Sequence, residues 1–227
     1  MTAQLLSRQT HRAPNRPCLT VLKELQLALG RVHEIAGPAR RSLAALIAAG
    51  TQGPIFWIQP AWQKDALNAD GLCRLFHPGR LTFLEPERAE DLLWTMEELL
   101  RSGEVPLVVA ELERPPSLTP VRRLNLASEH SGRTPLGLIL TPDMGGAAGV
   151  ETRWHMAPSH DGTECLSWQL RLLRARMAPQ QTWQLRAQNG RMSLSKEHFE
   201  SATPIRPVGD GSIPPQAPPS LHPAELP

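Results

Sequence analysis

The sequence predicts an α/β domain with a mostly parallel central sheet, flanked by helices and closed by antiparallel strands. Short apolar runs alternate with helical patterns over residues 32–140, as in layered folds in which helices cover a sheet. The run 54–59, PIFWIQ, is almost continuously apolar, which is typical of a strand buried on both faces of a parallel sheet. Beyond Thr141, apolar residues recur at every second position, which indicates a sheet with one solvated face.

The chain of 227 residues has room for one domain with a substantial core. We predict a flexible N-terminal arm over residues 1–19, the domain over 20–199, and a disordered, proline-rich tail over 200–227. The formal charge of +2 is too small to argue for nucleic acid or a membrane. The basic residues are mostly Arg, which suits bidentate contacts at interfaces, although GC-rich coding produces the same bias.

The cysteines and the N-terminus bear on the compartment. Cys18, Cys73 and Cys165 are widely spaced and form no C-x-x-C motif, so neither a disulfide framework nor a zinc ribbon is predicted. The sequence contains no apolar run long enough to span a membrane, and its first residues lack the apolar stretch of a signal peptide. These features predict a cytoplasmic protein.

The individual elements follow from periodicity and from signals at their ends. Thr20, as an N-cap, and the leucines that follow it up to Leu29 predict a short amphipathic helix ended by Gly30. Further helical patterns run from Leu43 to Gly50, over 67–75, over 89–102, and from a cap at Ser117 or Thr119 to Gly132. Strands are predicted over 32–35, 54–59, 81–84, 106–109, 136–140, 151–156, 166–176 and 182–187, the last two paired across 177–179.

Gly37 follows an apolar strand and precedes a helix, where nucleotide-binding domains carry their phosphate loop. A working loop has the spacing G-x-x-x-x-G-K-[ST], because backbone N–H groups, a Lys and a Mg²⁺-binding hydroxyl together neutralise the phosphates. Counting from Gly37 places Ser42 at the second Gly, Leu43 at the Lys and Ala44 at the hydroxyl. The sequence therefore predicts the frame of a phosphate loop without its chemistry.

Arg40 and Arg41 are the basic residues of this degenerate loop. Exposed N–H groups and the helix dipole favour an anion at a helix N-terminus, so an anion site formed by Gly37, Arg40, Arg41 and Ser42 is one interpretation. The other is a solvated turn without a ligand.

The order of the elements and several strings resemble the RecA-like recombinase core over residues 21–195. The turn at Gly37 looks like that family's phosphate loop, residues 84–112 look like its next helix and acidic strand, and residues 170–180 look like its closing strands. The degenerate loop and the strings LLWTMEELLRSG, TRWHMAPS and WQLRLLRAR more closely resemble the ImuA family. Members of that family are RecA-like accessory proteins of a bacterial damage-inducible mutagenesis cassette.

The chain departs from the recombinases where they hydrolyse ATP. Their Mg²⁺-binding acid ends the strand after the long helix, whereas here PLVV is followed by Ala110, and alternation would turn Glu111 to the opposite side of the strand. Their water-activating Glu follows the strand after the phosphate loop, where this chain reads Gln59-Pro60-Ala61. Phosphoryl transfer depends on positioning and charge neutralisation. We therefore expect no catalytic residue and no cofactor.

The resemblance implies a non-catalytic accessory protein of SOS-induced translesion DNA synthesis and mutagenesis. Its implied partners are the recombinase RecA, an inactive Y-family polymerase relative (ImuB-like) and an error-prone replicative-type polymerase. Arg174 and Arg176 fall where recombinases have a basic pair that reaches the nucleotide of the neighbouring subunit, which implies a partner interface. Two alternatives stay open: a nucleotide-dependent RecA-like ATPase or recombinase, and a SulA-like inhibitor of cell division.

Arg171 and Trp168 are the predicted contacts to single-stranded nucleic acid, because bases stack on indoles and Arg follows phosphates. The alternative is that tryptophans in such strands belong to the core. The DNA-binding loops of the recombinases correspond to residues 113–118 and 143–150, which contain no basic residue beyond Arg114. Since phosphate neutralisation supplies most non-specific affinity, direct DNA binding is expected to be weak or absent.

Two further groups of side chains are discounted. The metal-capable residues of one stretch are His155, His160, Asp161 and Cys165. Their spacing matches no compact zinc pattern, so no metal site is predicted. Glu85 and Glu87 are interpreted as an acidic turn that starts a helix rather than as an acid pair for catalysis.

Overall fold

A computed structural model of the chain describes residues 16–65, 67–159, 166–176, 178–188 and 191–196. The strands are β1 (Cys18–Thr20), β2 (Gln26–Ala28), β3 (Val32–Ala36), β4 (Ile55–Ile58), β5 (Leu81–Leu84), β6 (Leu107–Glu111), β7 (Leu136–Thr141), β8 (Thr152–Pro158), β9 (Leu166–Ala175), β10 (Gln181–Gln188) and β11 (Arg191–Lys196). The helices are α1 (Arg40–Ala49), α2 (Ala69–Leu72), α3 (Ala89–Ser102) and α4 (Leu118–His130). The predicted tail and residues 1–15 of the predicted arm lie outside the described residues.

Nine of the strands form one sheet in the order β5-β4-β6-β7-β3-β8-β9-β10-β11. The strands from β5 to β8 pair in parallel. The strands from β8 to β11 pair antiparallel. This is an α/β fold with a mostly parallel sheet, flanking helices and an antiparallel end, consistent with a RecA-like core. The predicted fold class is therefore confirmed.

The helices form layers on the two faces of the sheet. On one face, α1 buries Leu43 and Ile47 against β3, β7 and β8. On the other face, α3 and α4 pack against each other and against β3, β4, β6 and β7. The ends of α3 explain why it is so clear in the sequence: its first turn is acidic, Arg101 lies in its last turn, and Gly103 ends it with φ +67.

The predicted helix from Thr20 to Leu29 is wrong, because this segment forms the small hairpin of β1 and β2. Leu25 and Leu27 are fully buried, while Gln26 between them is exposed. The leucines therefore follow the two-residue period of a strand, although their spacing also fits one face of a helix. Two smaller differences are that the helix predicted over 67–75 shortens to α2 and that β11 was not predicted.

The connection from β7 to β8 contains ten residues, 142–151, and no helix. It is held by Glu34, a fully buried carboxylate in the centre of β3. Glu34 accepts hydrogen bonds from Thr141 Oγ1 (2.8 Å) and from the backbone N–H groups of Gly146 (2.8 Å) and Ala147 (3.0 Å), and it forms an ion pair with Arg153. Because a buried charge needs both a counterion and hydrogen bonds, this arrangement fixes the path of the loop.

Gly145 allows the loop to close over Glu34. Its φ is +68, and a Cβ at this position would lie 2.6 Å from Glu34 Oε1. Gly132 has a similar φ of +71 but no atom within 4 Å of such a Cβ. We expect Gly132→Ala to lower the free energy of unfolding by about 1 kcal/mol, the cost of a left-handed backbone. We expect Gly145→Ala to cost about 2 kcal/mol more, because it also displaces a buried carboxylate.

Urea denaturation of the two glycine variants measures this difference. Equal destabilisation by Gly132→Ala and Gly145→Ala would contradict the assigned role of the Glu34 carboxylate.

His33 is a fully buried histidine at the start of β3. Its Nε2 lies 3.0 Å from the Ala28 carbonyl oxygen and its Nδ1 lies 2.7 Å from Thr152 Oγ1. A carbonyl oxygen can only accept, so Nε2 carries the proton and Nδ1 accepts from the hydroxyl. Burial lowers the pKa of His33 to about 4, against 6.5 for an exposed histidine.

The lowered pKa of His33 predicts a loss of stability in mild acid. As the pH falls from 6.5 to 4, the unfolded chain binds a proton at this residue and the folded chain does not. The contribution of His33 is therefore complete above pH 6.5 and decreases by about 3 kcal/mol down to pH 4. Denaturant titrations at several pH values should show a smaller acid dependence in His33→Gln than in the unmodified protein. His130→Gln, at an exposed histidine, serves as the control, and an equal reduction in both variants would contradict the role of His33.

Candidate functional site

Open α/β sheets bind ligands at the carboxyl ends of their parallel strands, and the turn at Gly37 lies at that edge. The turn contains only residues 37–39, because β3 ends at Ala36 and α1 begins at Arg40. Residues 40–42, which the spacing of a phosphate loop assigns to the loop, are already helical. The connection is therefore too short to wrap around a phosphate.

Strand β8 fills the space beside this turn. The Ala39 N–H donates to the Met156 carbonyl oxygen at 3.0 Å. Gly37 has a φ of +94, and a Cβ there would lie 2.5 Å from the Met156 oxygen and 2.7 Å from His155 Nε2. Arg40 bends back over the turn, and its Nη1 donates to the Gly37 carbonyl oxygen at 3.3 Å. The backbone of the turn is thus engaged by the protein itself.

Arg41 makes the central contact of the site, with the buried carboxylate of Glu111. The Arg41 Nε lies 3.0 Å from Oε1 and 2.9 Å from Oε2 of Glu111. The same carboxylate accepts from Trp57 Nε1 at 2.8 Å and from Gln63 Nε2 at 3.1 Å. The Glu111 side chain is 4% exposed and that of Arg41 is 25% exposed. We name these four residues the Arg41–Glu111 cluster.

The predicted orientation of Glu111 is wrong. Leu107, Val109 and Glu111 alternate along β6 on the face that α1 covers, whereas Ala110 packs on the face of α3 and α4. The position that faces the degenerate loop is therefore Glu111, and the correspondence drawn from the sequence was one residue too early. Side chains do alternate along β6, but alternation alone does not say which residue faces α1. The pairing of β6 with β4 and β7 decides this.

A second carboxylate lies at this edge beside Gln59. Gln59 Nε2 donates to Glu85 Oε1 at 2.8 Å, joining the ends of β4 and β5. The stretch after β4 has no carboxylate of its own, so the acidic group comes from the adjacent strand. The interpretation of Glu85 as a helix-initiating residue is also wrong, since the acidic residues in the first turn of α3 are Glu90 and Asp91.

These residues do not fit a Mg²⁺-bound nucleotide. The turn is too short, Leu43 stands where the loop Lys should be, and Glu111, the carboxylate that faces the loop, is neutralised by Arg41. Ser42 is exposed on α1. Of the four residues predicted as an anion site, Arg41 forms an ion pair with Glu111, and Arg40 donates a hydrogen bond to the Gly37 carbonyl oxygen.

Arg174 and Arg176 lie at the opposite edge of the sheet. Strand β9 runs antiparallel to β8, so its last residues are beside Thr152 and Arg153, far from Gly37. Arg176 is 60% exposed, and its Nε lies 3.6 Å from Glu151 Oε2. Arg174 is exposed. Both are accessible on the surface of the described part of the protein.

Trp168 and Arg171 are not brought together on one surface. Trp168 points with Leu170 towards the core on the α1 face. Arg171 alternates to the other face, where it pairs in register with His155 of β8. Trp183 is buried, with its ring centroid 5.7 Å from that of Trp154. The alternative that the tryptophans belong to the core describes them better.

His155 is the one metal-capable residue of its predicted stretch that the structure describes. It is buried, and burial and then the charge of Arg171 lower its pKa. His160, Asp161 and Cys165 lie outside the described residues. Among the residues that are described, no group of three or more His, Cys, Asp or Glu could hold a metal ion.

No model of a known protein family and no curated protein sequence matches the chain. The resemblance to the ImuA family therefore depends on the strings and the order of elements given above. In the described ranges, no helix is long and apolar enough to cross a membrane.

The Arg41–Glu111 pair should contribute measurably to stability. We expect Arg41→Ala to lower the free energy of unfolding by about 3 kcal/mol, because it leaves a buried carboxylate without its counterion. Arg40→Ala removes one backbone hydrogen bond and should cost about 1 kcal/mol. In a double-mutant cycle, Arg41→Ala and Glu111→Leu should couple by at least about 1 kcal/mol. Additive effects in denaturant titrations would show that the two residues do not stabilise each other.

Proposed function

We propose that the protein is a non-catalytic, RecA-like accessory protein of SOS-induced translesion DNA synthesis and mutagenesis. In the cytoplasm it bridges a recombinase and error-prone polymerase partners. One observation carries the non-catalytic part of the proposal: the buried carboxylate of Glu111 is paired with the partly buried Arg41 at the edge of the sheet where a nucleotide and its Mg²⁺ would bind.

The free energy needed to separate Arg41 from Glu111 disfavours the binding of Mg²⁺ and nucleotide at this edge. A Mg²⁺ ion could use Glu111 only after Arg41 had moved away, and removing one partner of a buried pair costs about 3–5 kcal/mol. The hydrogen bonds from Trp57 and Gln63 hold the carboxylate in the same place. Nucleotide binding would first have to separate the residues of the Arg41–Glu111 cluster, and that part of the binding energy would not be available for catalysis.

The adaptor part of the proposal comes from the resemblance to the ImuA family and from Arg174 and Arg176. Arg174 and Arg176 form an exposed basic pair near a strand end, and among the described residues Arg176 has a 3.6 Å contact with Glu151. Such a pair suits a recombinase subunit that presents a nucleotide at its edge. RecA is the proposed partner of this pair. The ImuB-like Y-family relative and the replicative-type polymerase are proposed partners on other surfaces.

Nucleotide binding and hydrolysis test the non-catalytic part. The purified protein should show no saturable binding of a fluorescent ATP analogue in the presence of Mg²⁺, and no ATP hydrolysis above that of Glu111→Gln prepared in parallel. A Mg²⁺-dependent turnover that Glu111→Gln abolishes would replace this proposal with the ATPase.

Co-purification from damage-induced cells tests the adaptor part. We expect the unmodified chain to recover RecA and the two polymerase-related partners. Arg174→Ala/Arg176→Ala should weaken RecA binding at least tenfold, about 1.4 kcal/mol or more. Arg88→Ala/Arg133→Ala is the matched control, because it removes two similarly exposed arginines elsewhere. Recovery of the division tubulin without mutagenesis proteins would instead support the SulA-like alternative.

A further inference from the structure

Strands β9 and β10 have one buried face and one polar face. On the α1 side, Leu170, Leu172, Trp183 and Leu185 are buried in the core. The residues that alternate with them face the other way. We call these the open sheet face, and they are Gln169, Arg171, Arg174, Thr182, Gln184 and Arg186. Arg174 belongs to this face because a β-bulge after Leu172 breaks the alternation and places Arg174 opposite Arg153, whose side chain pairs with Glu34.

The short connection before β8 explains why this face is polar. On that side of the sheet, α3 and α4 pack against β3, β4, β6 and β7. The connection 142–151 has no helix to extend the layer further, because it closes onto Glu34 in β3. Among the described elements, the helical layer thus stops beside β8. The sequence agrees, since these strands are apolar only at every second position.

The charge of this part of the chain is strongly one-sided. Residues 166–196 contain six Arg and Lys residues and no Asp or Glu, although the whole chain carries 24 basic and 22 acidic residues. Glu34, the carboxylate of the adjoining strand β3, is fully buried and paired with Arg153. Glu151, which directly precedes β8 and lies near the end of β9, is 20% exposed and contacts Arg31 and Arg176. Neither neutralises Arg171 or Arg174.

We infer that the open sheet face binds the phosphate backbone of single-stranded nucleic acid. Arg donates to phosphate in a bidentate geometry, and the neighbouring Gln and Thr side chains are suitable hydrogen-bond donors to phosphate and sugar oxygens. Strands β8 to β10 give a surface about 10 Å wide and about 30 Å long. A flexible single strand can lie along such a surface, whereas a stiff duplex would touch it along a narrow line.

This mode of binding differs from the one predicted with Trp168. Because Trp168 faces the core, the open sheet face offers charges and amides but no described indole for base stacking. Binding should therefore be independent of sequence, sensitive to salt, and weak, with a dissociation constant of the order of 10⁻⁴ to 10⁻⁶ M near physiological salt. It does not depend on the proposed adaptor role, because it is measured without any partner protein.

Fluorescence anisotropy of a labelled oligothymidylate of about 30 nucleotides tests the inference, with site sizes of about 4–16 nucleotides as a guide. Arg171→Gln/Arg174→Gln should weaken binding at least about tenfold and reduce the slope of log K against log salt by about 1.4, since each lost phosphate contact contributes about 0.7. Arg88→Gln/Arg133→Gln removes the same charge elsewhere and should change affinity less than about twofold. Equal effects of the two variants, or tighter binding to duplex than to single strands, would overturn the inference.

The acidic residues that follow β11 provide the second arm of the experiment. Beyond Lys196 the chain carries Glu197, Glu200, Asp210 and Glu225 but only Arg206 as a basic side chain. We expect the full-length variant with all four acids changed to Gln or Asn to bind the oligonucleotide as the unmodified chain does, beyond a small general charge effect. If only the neutralised variant binds, the chain's own tail occupies the face and the inference is overturned.

Discussion

The ion pair between Arg41 and Glu111 joins the first turn of α1 to the end of β6, and Trp57 and Gln63 connect it to β4 and the segment that follows. A carboxylate that accepts from three N–H donors, one of which belongs to its counterion, is satisfied without water. This cluster therefore fixes the carboxyl edge of the sheet, where a RecA-like fold would otherwise need a bound phosphate and metal to neutralise its charges. The short turn at Gly37 is held in a similar way, since the Ala39 N–H donates to Met156 of β8 and the Gly37 carbonyl oxygen accepts from Arg40.

A second buried carboxylate, Glu34, controls the other face. The connection between the parallel strands β7 and β8 is a loop of ten residues without a helix. Glu34 holds this loop through its hydrogen bonds to two backbone N–H groups and its ion pair with Arg153. Parallel strands are usually connected through a helix that covers the sheet. Without that helix, the antiparallel strands need apolar residues on one side only, and their second face is free to carry the arginines. The topology thus accounts for the polarity of this face, whereas its positive charge comes from the composition of residues 166–196.

Periodicity alone predicted the sheet, the long helices and the antiparallel end, because buried strands and amphipathic helices leave different repeats. It failed where the same leucines fit both a helical and a strand period, as for Leu25 and Leu27. There the pairing of β1 with β2 shows that the segment is a hairpin. The site was harder to predict. Arg41 and Glu111 are 70 positions apart, so nothing local indicates that they meet. Glu111 was assigned to the wrong side because the count began at Ala110, and only the register of β6 against β4 and β7 corrects it.

The identity of the cation matters for the proposal that this protein does not turn over nucleotide. A Lys or a metal ion can leave or lose its charge, but a guanidinium stays protonated and is attached to the chain. Stability that a protein gains from a bound ligand depends on the ligand concentration, whereas the attraction of Arg41 for Glu111 does not. The proposed adaptor role would benefit from this independence, because the binding surfaces would stay folded whether or not nucleotide is available. If the proposal holds, ATP would not switch this edge of the fold, and regulation would have to come from the proposed partners.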